Sequence, residues 1–146
     1  MAAQLHTEGR QYMQETAFTG QQTKPTNFYV GLCTDVTIAE NASLTDLTEL
    51  VDPTDTDYER YALASSVVGW DSAGTGTNDR KITSNGVSFS CNTSGVTWAT
   101  AESWFLATTT DDSGKLIMSG PLNGGSGQAV AEGEELTFDI EFTFPG

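Results

Sequence analysis

The stretch Leu136-Thr137-Phe138-Asp139-Ile140-Glu141-Phe142-Thr143-Phe144 decides the fold class. Leu136, Phe138, Ile140, Phe142 and Phe144 fall on every second position, and Thr137, Asp139, Glu141 and Thr143 fill the gaps. Successive side chains of a β-strand point to opposite faces, whereas a helix would scatter these five apolar residues around its circumference. The segment therefore reads as a strand with one face on a core and one acidic face in water.

Similar signals recur upstream. Ser103-Trp104-Phe105-Leu106-Ala107-Thr108 and Lys115-Leu116-Ile117-Met118-Ser119-Gly120 flank a turn rich in Asp and Gly, which predicts a hairpin. Phe28-Tyr29-Val30-Gly31-Leu32-Cys33 is almost continuously apolar and reads as a strand buried on both faces. Residues 58–70 form a further strand region. Residues 81–91 predict either a hairpin turning at Asn85-Gly86 or a bent strand pair. Leu44, Leu47 and Leu50 recur at helical spacing behind Ser43, with Asp46 three residues after it, so one short helix is expected within residues 42–50. Six to eight short strands result. The expectation is an all-β chain: an antiparallel sandwich or barrel-like body with one short helix, in a single domain spanning residues 28–146.

Residues 1–27 differ from that body. They are rich in Gln, Thr and Gly and show no clear period, yet they hold the large apolar residues Leu5, Tyr12, Met13 and Phe18. These read as an extended N-terminal arm that docks on a neighbour, with those four side chains as its anchors. Charge divides at the same place. The chain holds 20 acidic and 6 basic side chains, for a net charge of −14. Glu8, Glu15, Arg10 and Lys24 cancel within the arm, which leaves 18 acids and 4 bases on the body. Such a body repels nucleic acid and anionic membranes, while the neutral arm does not repel an acidic partner.

No run approaches the ~18 apolar residues of a membrane span, and no basic stretch followed by an apolar one suggests a signal peptide. Cys33 and Cys91 are accordingly expected as buried free thiols rather than a disulfide, and the two Asn-x-Ser sequons as chance matches. Chemistry is sparse. The only histidine, His6, lies in the arm, so neither a nucleophile–histidine pair nor a zinc ligand set is expected. The acidic groups Asp52, Asp55, Asp57, Glu59 and Asp111, Asp112 do not have the spacing of a twelve-residue calcium loop and read as solvated. Trp70, Trp98 and Trp104 suit a core or interface more than a sugar-binding cleft. No cofactor, metal or enzymatic activity is expected.

FYVGLCTD (residues 28–35), ASLTDLTEL (42–50), YERYAL (58–63) and WFLATTTDDSGKLIMSGPL (104–122) together resemble a family of small virion proteins of tailed bacteriophages. The resemblance covers residues 28–146 and leaves the arm outside. It implies a virion structural component: a head decoration (cement) protein on the outer surface of the capsid, homotrimeric, with the major capsid protein as its partner. The alternative it implies is a tail or tail-fibre component that contacts host surface glycans, for which the three tryptophans would serve as stacking platforms.

Overall fold

The structure is a computed structural model and describes residues 3–50, 57–66, 69–73 and 80–144. Among these residues, strands and a single α-helix follow the chain as β1 (Gln4–Leu5), α1 (Thr7–Gln14), β2 (Asn27–Cys33), β3 (Tyr61–Ala64), β4 (Trp70–Ala73), β5 (Arg80–Ser84), β6 (Val87–Ser90), β7 (Ser103–Ala107), β8 (Leu116–Pro121), β9 (Glu135–Phe138) and β10 (Glu141–Phe144). These ten strands form three antiparallel sheets, ordered β1-β8-β7-β2-β3, β10-β5-β4 and β6-β9. The chain is all-β and sandwich-like, as its sequence suggests.

The final apolar stretch becomes β9 and β10. Ile140 and Phe142 are buried, Leu136, Phe138 and Phe144 are half-buried, and all four intervening polar residues are exposed. Its partner is β5 followed by β6, so residues 80–90 form the bent strand and not the hairpin. Ser84 pairs with Ile140 and Val87 with Phe138, which sets Asn85 and Gly86 opposite the single residue Asp139. Such a bulge bends both strands. Ser84 secures the bend: its N–H donates to the Ile140 carbonyl (2.8 Å), and its Oγ accepts the Ile140 N–H (2.7 Å).

The predicted hairpin forms as β7 and β8, with β2 beside β7. Every residue of β7 is buried because the five-stranded sheet is covered on both sides. On one side, Val30, Leu32, Trp104, Leu106 and Met118 meet Val87, Phe89, Ile140 and Phe142 of the other sheets. On the other side, Cys33, Phe105, Ala107 and Leu116 lie under Ile38, Ala42 and Leu44 of the loop after β2. Gly31 pairs with Phe105, and a Cβ at Gly31 would overlap the Phe105 ring, so this position needs a residue without a side chain.

The helix expected in residues 42–50 shrinks to one 3-10 turn, Leu44–Asp46. Asp46 Oδ2 accepts both the Ser43 N–H and the Ser43 hydroxyl (2.8 Å each), so the capping residues are as read. Beyond Asp46 the chain extends, and Leu50 N–H donates to the Leu32 carbonyl (2.9 Å). Leu44 and Leu50 then enter opposite layers of the protein. The leucine spacing thus serves two cores flanking one sheet, which no single helix face can do.

The one α-helix among the described residues lies instead in the N-terminal segment, and this segment is not an extended arm. β1 pairs with β8 through Gln4–Ser119 and Leu5–Met118. α1 lies directly on β8 because Gly9 has no Cβ; a side chain there would collide with the Ile117 carbonyl. A π-helical turn, Glu15–Thr19, ends at Gly20 in the left-handed region (φ 65°). Residues 4–14 are therefore built into the body.

Candidate functional site

The four expected anchors divide into two pairs. Leu5 is half-buried in its pairing with Met118, and Tyr12 is buried in the main core. The Tyr12 ring meets Phe28 edge-on with centroids 6.5 Å apart, and its hydroxyl donates to the Thr23 carbonyl (3.0 Å). Burial raises the Tyr12 pKa. These two side chains hold the segment to its own body and are not offered to a neighbour. Met13 is 39% exposed and Phe18 87% exposed, so the surface contribution of the segment rests on them.

An apolar cavity of about 340 Å³ opens beside α1, between the five-stranded sheet and the β10-β5-β4 sheet. Tyr12, Met13, Phe28, Trp70, Ile82 and Phe144 contribute to its wall, and Asp71 lies on its lining. This feature was not read from the sequence. Its wall comes from residues on both sheets and α1, and only their meeting in three dimensions creates it. The alternating β10 and the aromatic at Trp70 were the available signals.

The other tryptophans are not at the surface. Trp98 is 2% exposed and Trp104 is 5% exposed, both in the main core, while Trp70 is half-buried in the cavity wall. Trp98 packs edge-on against Tyr58, with ring centroids 5.6 Å apart. Trp98 and Trp104 thus cannot serve as sugar-stacking platforms.

His6 sits between β1 and α1 and is fully buried. Its Nδ1 faces the Glu40 carbonyl (3.2 Å), which can only accept, so Nδ1 carries the proton; Nε2 then accepts from the Ser119 hydroxyl (2.7 Å). Burial lowers the His6 pKa, against the opposing pull of the Glu40 and Ala39 carbonyls, and keeps the ring neutral. The pairing has the atoms of a serine–histidine dyad, but Ser119 is itself buried and neither group is open to a substrate. Its effect is to lock the segment in place. The Arg10–Glu40 ion pair and Gln4 Nε2–H donating to the Ile38 carbonyl (2.6 Å) add to that lock.

Arg60 organises the opposite end. Its side chain is 3% exposed. Nε and Nη2 donate to the two oxygens of Glu49 (2.9 and 2.6 Å), Nη2 also reaches Asp112 Oδ1 (2.6 Å), and Nη1 reaches the Thr109 and Asp111 carbonyls (3.2 and 2.6 Å). The guanidinium stands 5.0 Å from the Phe105 ring centroid. Burial depresses its pKa, but Glu49 and then Asp112 more than offset this and leave it raised. Three of the acidic residues considered for calcium are engaged otherwise. Asp112 pairs with Arg60, Asp111 accepts from the Ser113 N–H (2.9 Å), and Asp57 caps the Asn92 and Thr93 N–H groups (2.9 and 2.6 Å). Asp52 and Asp55 lie outside the described residues. Among the described residues no group of three or more His, Cys, Asp or Glu is placed to hold a metal.

Both cysteines are buried thiols, Cys91 in the main core and Cys33 in the second. Burial pushes the Cys33 thiol up to about 12. No described helix is long and apolar enough to cross a membrane. No protein-family model matches the chain, and no curated protein matches its sequence.

Proposed function

We propose that this protein is a non-enzymatic virion structural protein of a tailed bacteriophage, a decoration protein that binds the outer surface of the capsid shell. The observation that carries this reading is the N-terminal segment. It is locked onto the β-body by His6, Gly9 and Tyr12, yet it ends in exposed Met13 and Phe18. The segment is electrically neutral while the body carries the whole −14. Its apolar end can therefore approach a neighbour without the repulsion that the body would meet. Bound subunits would add contact area across seams between capsid subunits and stabilise the assembled shell by mass action. The resemblance of residues 28–146 supplies the partner, the major capsid protein, and the homotrimeric state.

The test is co-sedimentation of purified protein with empty shells that lack it. Saturable binding in a fixed ratio to the major capsid subunit, weakened by Met13→Asp, supports the proposal. Protein that stays in the supernatant at every concentration removes it. Burial of Trp98 and Trp104 leaves the glycan-binding tail reading with only the half-buried Trp70 as a stacking surface.

A further inference from the structure

Two features on the N-terminal side of the molecule lack a counterpart among the described residues. The first is the apolar cavity beside α1, at about 340 Å³. A buried apolar cavity of about 150 Å³ is enough to admit benzene, so this one has room for a phenyl ring. The second is Phe18, 87% exposed on the π-helical turn after α1. An aromatic side chain offers roughly 150–250 Å² for burial, and the structure gives Phe18 nothing to bury it against.

Charge names the occupant. Arg10, Arg60, Lys81 and Lys115 each have an acidic partner, whereas Lys24 is exposed and has none among the described residues. The carboxylate of Asp71, exposed on the lining of the cavity, likewise has no hydrogen bond or ion pair among them. Five residues separate Phe18 from Lys24 along an exposed stretch, which Tyr12 holds to the cavity wall through Thr23. Among the described residues the chain thus carries an aromatic knob with an unpaired cation, and an apolar socket with an unpaired anion.

We propose that the cavity receives Phe18 from a second copy of this chain, with Lys24 of the incoming copy meeting Asp71 at the rim. The contact rests on the proposed function only in its assembled setting, where it gives the neighbour of Phe18 as another decoration subunit. Two bodies of charge −14 repel at long range, but salt screens that repulsion beyond about 10 Å at 0.1 M, and the neutral segment is what enters the contact.

The experiment is sedimentation equilibrium of the purified full-length protein, without shells, from about 10 μM to about 1 mM at physiological salt, where association constants of moderate strength are read. Reversible association is expected. Phe18→Ala, a surface change, should weaken it by about tenfold to a hundredfold while the circular dichroism spectrum stays unchanged. Lys24→Asp and Asp71→Lys should each weaken it, and the two together should restore it. A monomer across the whole range overturns the proposal. So does association that ignores Phe18→Ala, or a charge exchange that fails to restore it. Shell binding is a separate assay, so loss of this contact alongside intact shell binding overturns the contact and leaves the decoration reading standing.

Discussion

Removing the Arg60 guanidinium is the most telling change to the body, because five hydrogen bonds converge on it from two separate segments. In Arg60→Ala the Glu49 carboxylate, 26% exposed, loses its bidentate partner, and the Thr109 and Asp111 carbonyls lose a shared donor. Breaking a buried ion pair from one side costs about 3–5 kcal/mol. Partial exposure of Glu49 lets water recover some of this, so the lower end of that range, about 3 kcal/mol, is expected. Asp112 is 55% exposed, and its share is that of a surface pair, so Asp112→Asn should cost about 1 kcal/mol or less. Arg60→Lys keeps the charge but not the fork, and should fall between the two. Urea unfolding followed by tryptophan fluorescence measures all three, with an unchanged m-value as the check that only stability has moved. A loss below about 1 kcal/mol for Arg60→Ala would refute the reasoning, since the site would then be worth no more than an exposed pair.

Acid should loosen the N-terminal lock. Folded His6 stays neutral while unfolded His6 takes up a proton near pH 6.5, so the unfolded state binds more protons there and stability falls as pH drops through about 6.5. Denaturation at pH 7.5 and 5.5 should show this dependence, and His6→Gln should flatten it in that window; an identical slope in the variant would contradict the assignment. Gly31→Ala should destabilise by about 1–3 kcal/mol through overpacking against Phe105, measured by the same unfolding curves, and Phe105→Leu in the same chain should recover part of it. Two thiols should react with an aromatic disulfide reagent in denaturant and neither in the native protein, as burial of Cys33 and Cys91 requires; fast native labelling would contradict the structure.

The parts of the fold that were legible are those in which one residue period meets one environment. Leu136 to Phe144 alternates because one face is packed and the other wet, and the alternation survives the bulge at Asn85-Gly86. The almost continuous apolar run of β2 signalled burial on both faces, which holds from Val30 to Cys33. The misreadings share a cause. Leu44, Leu47 and Leu50 match a helix, yet the sheet between the two cores draws Leu44 and Leu50 to opposite layers. α1 was invisible because its inward contacts are made by Gly9 and Tyr12 in only eight residues, and a glycine reads as a breaker where close approach is what it provides. Hence Leu5 and Tyr12 looked like anchors for a neighbour although their neighbour is β8 and the main core. Arg60 stood in the sequence between two tyrosines, but nothing local announces that Glu49 and the 109–112 turn will close around it.

The decoration reading is tested most directly by a cryo-electron-microscopy difference map between shells with and without this protein. The account predicts added density on the outer capsid surface, at the seams between capsid subunits, into which the β-sandwich fits with the end of α1 facing the shell. Density confined to the tail, or an unchanged capsid surface, would contradict it.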